Sequence, residues 1–398
     1  MGASAMKARR IVVVGTLASD PYAGMAWMHM QIVVGLRRLG HDAYYFETTS
    51  SWPYDPVHRT RVCDSAYSLA YLASVAESFG VGDRWAYRRS YGDKAWFGMD
   101  RLRAGELLAH ADVVLNIAGA TRLAEEGLEV GRLVYFGTDP VYQEIAYFNG
   151  AEDVRTLVDE HNEFVTYGEN LGSPDCPVPV FEPLRARTRQ PVLLDMWADD
   201  MRADGAAPDR PFTTVCNWQQ DGRDIEYRGE TYYWSKHREF LKFIDLPRKT
   251  GQPLELAMGL DNLDLAVARM LTCQGWRLVD AHEFTTDPWP YRDYVQSSRG
   301  EFTVAKDQNV RLRSGWFSER SACYLAAGRP VITQDTGFGK FLPTGEGLFA
   351  FNSLEEIVEA FEAIRADYGR HCRAARAIAE EYFRAETVLE KVIRDLGL

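Results

Sequence analysis

The sequence predicts an α/β protein built from two doubly wound domains that face one another across a cleft. Its 398 residues exceed what one hydrophobic core usually holds, so two domains are expected. Short apolar runs such as IVVVG alternate with segments whose apolar residues recur at helical spacing, which is typical of a parallel sheet with helices on both faces. The alternation stops in a proline-rich stretch and then starts again, which indicates two series of elements.

The first series predicts an N-terminal domain over residues 1–185. Its strands are expected at IVVVG, AYYFE, DVVLNIAG, RLVYFGTDP and EFVTYGEN, in that order along the chain. Helices are expected at MAWMHMQIVVGLRRLGHD, where Gly40 is a C-cap, and at SAYSLAYLASVAESFG, MDRLRAGELLAHA and AEDVRTLVDEHN. The first strand, the first helix and the second strand form a βαβ unit, which favours right-handed parallel winding.

The second series predicts a C-terminal domain over residues 186–375. The stretch SPDCPVPVFEPLRARTRQP is the predicted linker, because it holds five prolines and shows no periodicity. Strands are then expected at FTTVCNW, LELAMG, WRLVDA, GEFTVAKD and PVITQD, and helices at YWSKHREFLKFIDL, LDLAVARMLTCQG, WPYRDYVQSS and SERSACYLAAG. A long amphipathic helical tail begins at SLEEIV. Together the two series predict two Rossmann-like domains whose strand ends face a common cleft.

Composition narrows the classes of partner and the compartment. The net charge of −12 disfavours a nucleic-acid partner, because proteins that bind nucleic acids normally present a basic face. The six cysteines include no C-x-x-C pair, which indicates reduced thiols in a cytoplasm rather than a zinc site or a disulfide framework. The N-terminal MGASAMKARR lacks the apolar core of a signal peptide, and five apolar residues after it are too few to span a bilayer. We therefore expect a cytoplasmic protein with no integral membrane segment.

Two segments carry a resemblance to a known family. GRPVI follows a helix that begins with polar residues, and RRLGHDAYYFE is similar to the family's "L-x-x-x-G-H-x-V" join between helix and strand. Together with the order of elements, these segments resemble the GT-B glycosyltransferases. The resemblance implies two Rossmann-like domains, of which the N-terminal one binds the acceptor and the C-terminal one binds the nucleotide-sugar donor. It also implies a C-terminal helix, about residues 376–398, that crosses back to the first domain.

A diphosphate site is predicted where the helix SERSACYLAAG begins. A diphosphate needs backbone N–H groups, hydroxyls and positive charge, and a helix N-terminus supplies the first of these. Ser318, Glu319, Arg320 and Ser321 stand at this start, and Lys306 at the end of the preceding strand is a second cation. The alternative is that Ser318 is an N-cap and Ser321 completes a capping interaction.

The resemblance places the donor sugar and the nucleobase at two other strand ends. In the loop after PVITQ, Asp335 would accept from the sugar hydroxyls and Thr336 would donate to them, while Gly337 would allow a close backbone approach. The alternative for this loop is a simple turn. Asp280 and His282, after WRLV, stand where members of the family hold the nucleobase.

Two carboxylates of the family pattern are absent from this chain. Retaining members often carry two glutamates eight residues apart, the second of them five residues before the glycine of GRPVI. These positions hold Gly315 and Cys323, and Glu319 is the nearest carboxylate. The stereochemical outcome therefore stays open, as does the alternative of a protein that binds the donor without transferring the sugar.

An inverting transferase needs a general base beside the acceptor hydroxyl. Asp139, at the end of RLVYFGTDP, and His29, early in the first helix, are the two candidates, with Glu169 third. Their alternatives are a helix N-cap for Asp139 and a structural histidine among apolar residues for His29. No metal is expected, because ADD at 198–200 and DNLD at 261–264 look like turns or caps, and the architecture balances leaving-group charge with a helix N-terminus and basic side chains.

The leading hypothesis is a metal-independent glycosyltransferase that moves a sugar from a nucleotide-diphosphate sugar to a small-molecule or glycoconjugate acceptor. Its setting would be secondary metabolism or the assembly of cell-surface glycoconjugates, with no cofactor besides the donor substrate. The alternatives are a degenerate module or partner subunit that binds nucleotide or glycan, and a sugar-nucleotide epimerase. GTLASDPYAGM lacks the G-x-G-x-x-G fingerprint, which disfavours a Rossmann oxidoreductase. The oligomeric state is open, and a homodimer is one alternative.

Overall fold

The computed structural model describes residues 7–48, 51–198, 207–261 and 263–398. The strands of the first half are β1 (Arg10–Val14), β2 (Asp42–Glu47), β3 (Tyr54–Asp55), β4 (Thr60–Arg61), β5 (Trp85–Arg88), β6 (Trp96–Gly98), β7 (Val113–Ile117), β8 (Leu133–Gly137), β9 (Glu163–Thr166) and β10 (Leu184–Arg187). Its helices are α1 (Ala23–Arg38), α2 (Ala66–Ser78), α3 (Arg101–Ala109), α4 (Tyr142–Asn149), α5 (Glu152–Asp159) and α6 (Leu194–Trp197).

The strands of the second half are β11 (Phe212–Val215), β12 (Ile225–Tyr227), β13 (Glu230–Tyr232), β14 (Leu254–Met258), β15 (Arg277–Asp280), β16 (Gly300–Thr303), β17 (Val331–Gln334) and β18 (Leu348–Phe351). Its helices are α7 (His237–Leu241), α8 (Leu246–Thr250), α9 (Leu265–Cys273), α10 (His282–Thr285), α11 (Pro288–Ser297), α12 (Asp307–Arg311), α13 (Glu319–Ala326), α14 (Leu354–Ala366), α15 (Tyr368–Tyr382) and α16 (Ala385–Asp395). A 3-10 turn spans Phe338–Lys340.

The strands form two large sheets, one in each half. In the part of the chain that the structure describes, the first sheet has eight strands in the order β10-β9-β8-β7-β1-β2-β5-β6. All its neighbours pair in parallel except β5 and β6, which run antiparallel. The second sheet has six parallel strands in the order β15-β14-β11-β16-β17-β18. This confirms the predicted class of two doubly wound, Rossmann-like sheets.

Burial explains why the central strands read as unbroken apolar runs. Every residue of β7 and β8 is buried, as are four of the five residues of β1. A strand covered by helices on both faces has no solvated face, so it needs apolar side chains at every position rather than at alternate ones. In the second sheet every residue of β16 and β17 is also buried, but these strands include polar residues such as Glu301 and Gln334.

Two predicted segments differ from the structure. Part of the predicted linker is β10, which pairs in parallel with β9 as an edge of the first sheet. The division predicted at residue 185 falls inside this strand, and the division into two domains stays a prediction. The helical tail is broken at Asp367, whose backbone is extended (φ −149°) and whose carboxylate accepts from the Arg370 amide at 2.9 Å. That cap starts α15 as a separate helix.

The chain end returns to the first half. Helix α15 packs against α13, while α16 packs against α1. Close approach to α1 depends on Gly35, because a Cβ there would lie 2.5 Å from Cδ1 of Leu389 and 3.1 Å from Cβ of Ala385. The segment around Phe383, which returns to the first half, is hydrogen-bonded to the segment around Val192, which leaves it: the Val192 amide donates to the Phe383 carbonyl at 2.7 Å. The two stretches of chain that connect the halves, around Val192 and around Phe383, therefore lie side by side.

The helices and the cysteines of the described residues bear on the class of protein. None of their helices has the length and the apolar content that crossing a bilayer would require. Their cysteines are all free: Cys176, Cys323 and Cys372 are buried, Cys216 is partly buried, and Cys63 and Cys273 are exposed.

Candidate functional site between the two sheets

A cavity of about 570 Å³ lies between the carboxyl edges of the two sheets. The first half lines it with the loop before α1, the first turns of α1 and the ends of β8 and β9, through Tyr22, Met25, Met28, Thr138, Asp139 and Tyr167. The second half lines it with the ends of β11, β14 and β15 and with the start of α13, through Cys216, Lys236, Gly259, His282, Ser318, Glu319 and Arg320. Its size and its position at strand ends are those of a small-molecule site.

Two cations face this cavity from the second half. Arg320 is anchored, because its Nε donates to Glu301 at 2.5 Å and its Nη2 donates to the Thr303 hydroxyl at 3.1 Å. Lys236 has no carboxylate partner among the described residues, and its ammonium lies 5.6 Å from the centre of the Trp316 ring. Burial, followed by the nearby Arg320 charge, lowers the pKa of Lys236 to about 7. A buried cation that has no paired carboxylate favours the binding of an anion beside it.

Ser318 adds a free hydroxyl to these cations. It occupies the N-cap position of α13 with an extended backbone, yet its side chain makes no capping hydrogen bond. The first N–H groups of α13 also point out of the helix at this end, where the helix dipole favours an anion. Ser318 therefore lines the cavity as a donor that the helix itself does not use.

Glu319 faces the same cavity but in a different environment. Its one hydrogen bond given by the structure is weak, from the Gln31 amide at 3.4 Å. Burial raises the pKa of Glu319 to about 8, so the neutral carboxyl is favoured at pH 7. Cys323 lies one helical turn further along and also lines the cavity, at the position where the family pattern has a carboxylate.

Gly315 stands at the other position where the family pattern has a glutamate, and packing between the two halves explains why a glycine is present there. Its backbone lies in the left-handed region (φ +76°), and a Cβ there would lie 2.5 Å from the Asn170 backbone nitrogen. The Asn170 amide donates to the Ser314 carbonyl at 3.1 Å, which holds the two backbones in contact. A glutamate at position 315 would be strained and would push the halves apart.

Lys306 and Asp139, predicted separately, form one ion pair across the cleft. The Lys306 ammonium donates to Oδ2 of Asp139 and lies 3.0 Å from the centre of the Trp234 ring. Burial lowers the pKa of Lys306 to about 8, against the opposing effect of Asp139. Asp139 lines the cavity, and its buried Oδ1 has no hydrogen-bond partner among the described residues. It is therefore an unsaturated acceptor at the cavity wall.

His282 lies at the opposite end of the carboxyl edge. Its Nδ1 is 3.1 Å from Oδ1 of Asp280, and its Nε2 is 3.3 Å from the Tyr54 hydroxyl, so both ring nitrogens are occupied. The ring is thereby fixed beside Gly259 and Ala281, which line the same part of the cavity.

The remaining candidates for the base are occupied by other contacts. His29 is buried beneath the loop before α1, where its Nδ1 lies 2.8 Å from the Met25 carbonyl and a Cβ at Gly15 would overlap its ring. Burial lowers the pKa of His29 to about 4, and the residue does not line the cavity. Glu169 is paired with Arg189 at 2.6 Å. Of the three, Asp139 alone lines the cavity.

The other predicted donor residues also lie away from the cavity. The Ser321 hydroxyl is buried without a hydrogen-bond partner in the described structure. Thr336 donates to the Trp316 carbonyl at 2.5 Å, and Asp335 accepts from the Gly337 amide at 2.8 Å. Gly337 has φ +92°, as such a turn requires. The loop thus supports Trp316, which does line the cavity.

Lys236 is one of the cavity residues that the sequence did not reveal, because it lies within the stretch YWSKHREF that reads as one helix. Helix α7 begins only at His237, so Lys236 precedes the helix. No group of three or more potential ligand side chains among the described residues could hold a metal ion. Asp264 caps α9 and Asp261 pairs with Arg59, while residues 199–200 and 262 lie outside the described residues.

No model of a known protein family matches the chain, and no curated protein matches it. Solved structures do match over nearly its full length. HepE of Anabaena, in complex with UDP and glucose, has 11% identity and a TM-score of 0.59 over 98% of this chain and 99% of that one. An α-glucosyltransferase in complex with UDP and a 13-mer DNA containing an HMU base has 8% identity and a TM-score of 0.61 over 99% and 100%.

The sucrose-phosphate synthase of Thermosynechococcus elongatus has 12% identity and a TM-score of 0.54 over 98% of this chain and 99% of that one. At such low identity the likeness concerns the fold, and it extends through both sheets and the returning C-terminal helix because it covers almost the whole chain. The chain therefore has the GT-B fold.

Proposed function

We propose that this protein is a glycosyltransferase that takes a sugar from a nucleoside diphosphate sugar. One observation carries the proposal: Lys236, a partly buried lysine with no carboxylate partner among the described residues, faces the cavity between the two sheets beside Arg320 and the start of α13. Cations, a free hydroxyl and a helix N-terminus together suit a diphosphate. Two of the compared structures hold UDP, so UDP is the first nucleotide to test.

The order of strands supports a direction for the donor. His282 follows β15 and Lys306 follows β16, and these strands are three positions apart in the second sheet. At about 4.8 Å for each strand spacing, the two residues stand roughly 14 Å apart along the edge. Arg320 lies between them, since it bonds to Val215 of β11 and Thr303 of β16. We place the nucleobase near His282, the diphosphate near Arg320 and Lys236, and the sugar toward Asp139.

In this arrangement Asp139 is the proposed general base. It would accept the proton of the acceptor hydroxyl as the acceptor oxygen bonds to the anomeric carbon and the bond from that carbon to the phosphate oxygen breaks. The charge that develops on the leaving diphosphate would be stabilised by Lys236, Arg320 and the N–H groups of α13. Lys306 would orient the Asp139 carboxylate through their ion pair.

A donor-binding module without transferase activity is the second candidate, favoured by one specific observation. Cys323 lines the cavity where the family pattern has a carboxylate, and packing against Asn170 excludes one at Gly315. Such a protein would bind the nucleotide but would not release UDP from a UDP-sugar when acceptors are supplied.

Thermal unfolding in the presence of UDP, GDP, dTDP, ADP and NAD tests the proposal first. A ligand that binds only the folded protein raises its unfolding temperature with concentration. We expect one nucleoside diphosphate to do so and NAD to have no effect. Sugars of the nucleoside diphosphate that gives this response are then incubated with mixed sugar, lipid and phenolic acceptors. Release of the nucleoside diphosphate with a glycosylated product supports the transferase, and binding without release supports the module.

A further inference from the structure

A β-hairpin of the first half reaches across the cleft at the His282 end of the cavity. The hairpin consists of β3 and β4, which pair Tyr54 with Arg61 and Asp55 with Thr60. It is fixed to the loop before α1, because the Tyr54 amide donates to the Ser19 carbonyl at 2.8 Å and Arg61 pairs with Asp20 at 2.8 Å. The hairpin and this loop thus behave as one unit of the first half.

The hairpin also contacts the second half at three points. Arg59, at its turn, pairs with Asp261 and, at 3.1 Å, with Asp280. The Tyr54 hydroxyl bonds to His282 at 3.3 Å. Asp261 follows β14, Asp280 is the last residue of β15, and His282 follows β15, so all three partners lie at the strand ends beside the His282 end of the cavity. The contacts therefore fix a wall of the first half against the edge of the second sheet.

Tyr22 is the part of this wall that faces the cavity. Its ring stacks on the Tyr54 ring at a centroid distance of 5.4 Å and an angle of 29°. It meets the His282 ring at 6.1 Å and 65°. Two rings at such an angle form a corner, so a flat ligand can lie against one ring face with its edge toward the other. Tyr22 is partly exposed, and it lines the cavity together with Gly259 and His282.

We infer that the nucleobase subsite is shared by both halves, with Tyr22 of the first half stacking on the base and the Gly259–His282 edge of the second half forming the other wall. The inference rests on the proposed function, which places the base at this end. It makes Tyr22 a specificity-determining residue for planar aromatic ligands and leaves the diphosphate to Lys236 and Arg320. A base would then bind only when the two halves are closed on one another.

Isothermal titration of UDP into Tyr22→Phe and Tyr22→Leu tests this assignment. Phe keeps the ring face, so its Kd should stay within about two-fold of the wild type, while Leu removes the ring and should raise Kd about ten-fold or more, as at other base-stacking aromatic residues. Tyr44→Leu is the matched control, because Tyr44 is a partly buried tyrosine of the first half that lies outside this cavity. Its Kd should equal that of the wild type.

The outcomes separate the inference from the proposed function. If the wild type binds UDP and Tyr22→Leu, folded by its thermal unfolding, binds equally well, the shared subsite is wrong and the proposed function stands. Equal losses in Tyr22→Phe and Tyr22→Leu would place the effect in the hydroxyl and would overturn stacking. If the wild type binds no nucleoside diphosphate, the proposed function fails and the inference falls with it.

Discussion

The two faces of the cavity differ in charge. The face from the second half carries Lys236, Arg320, the Ser318 hydroxyl and the start of α13. The face from the first half is formed mainly by the apolar side chains of α1, such as Met25 and Met28, with Asp139 as its carboxylate. The cations lie on one side of the cavity and the acidic candidate base on the other.

This difference suits the proposed function, in which one cavity holds a donor and an acceptor side by side. The cationic face suits the diphosphate of a donor, whereas the described residues of the apolar face include no basic side chain that lines the cavity, so this face suits an acceptor without negative charge. The Lys306–Asp139 ion pair joins the faces at the end where we propose that the sugar binds. We therefore expect that substitution of Asp139 affects transfer and that substitution of Lys236 or Ser318 affects donor binding. The predictions below test this separation.

The largest expected effect comes from Asp139→Asn. Loss of a general base typically lowers turnover about 10²- to 10⁴-fold, and we expect a fall of that size in the rate of transfer. The Kd for UDP, measured by titration, should change much less, because the proposed diphosphate site lies on the other face. Glu169→Gln is the control, since Glu169 is paired with Arg189 away from the cavity. Full turnover in Asp139→Asn would mean that Asp139 does not act as the base.

The next effect in size is the loss of donor binding in Lys236→Met. A hydrogen bond to a charged group contributes about 1.5–3 kcal/mol, so Kd for UDP should rise about 10- to 150-fold. Lys249→Met is the matched control, because Lys249 is an exposed surface lysine paired with Asp245 at 2.9 Å. Equal affinity in both variants would remove Lys236 from the diphosphate site.

The pH dependence of binding gives a third test. Because burial lowers the pKa of Lys236 to about 7, the free protein loses this proton as the pH rises through 7. A bound diphosphate favours the ammonium and raises its pKa, so the complex holds more protons than the free protein above pH 7. By linkage, affinity must then fall as the pH rises from 7 to 9, approaching ten-fold per unit at most.

Titrations at pH 7, 8 and 9 in buffers of different ionisation enthalpy measure both the fall in affinity and the proton uptake. Glu319 loses a proton in the same range, because its pKa is raised to about 8, and its negative charge would also repel the diphosphate. Lys236→Met should remove most of the pH dependence, and Glu319→Gln should remove the smaller part. Affinity that rises with pH would contradict the assignment of Lys236.

The central strands β1, β7 and β8 of the first sheet could be predicted because burial on both faces gives them nearly continuous apolar runs. Elements at the edges could not. Strand β6 has three partly or fully exposed residues in an aromatic-rich stretch, so no period distinguishes it from a loop. Helix α4 begins at Tyr142, and its N-cap Val141 has φ +97°, a backbone conformation that a β-branched residue rarely adopts and that the sequence does not indicate. Asp367 breaks the tail by a cap that periodicity alone does not show.

Cavity residues that stand at the ends of strands or at the start of a helix could be predicted from the sequence. Residues that reach the cavity only because of the order of strands in the sheet could not. The polar start of α13 and the end of β8 gave Ser318, Arg320 and Asp139, which the structure brings to one cavity. Strand β11 lies between β14 and β16, which the sequence does not state, so the position of Lys236 beyond β11 carried no signal. His29 has a side chain that could act as a base, but it faces inward and does not line the cavity. The prediction missed this because the direction of a side chain on a buried helix cannot be read from composition.

The smallest expected effect separates two roles of a helix-start serine. Ser318 makes no capping bond, so Ser318→Ala should leave the unfolding temperature unchanged and raise Kd for UDP about 2- to 12-fold, the loss of one hydrogen bond. Ser353→Ala is the crossed control, because Ser353 caps α14 by accepting from the Glu356 amide at 3.3 Å. It should lose about 0.5–2 kcal/mol of stability and keep its affinity for UDP. If Ser318→Ala instead lowers stability with unchanged Kd, Ser318 is a cap, and the cationic face binds its anion through Lys236, Arg320 and backbone N–H groups alone.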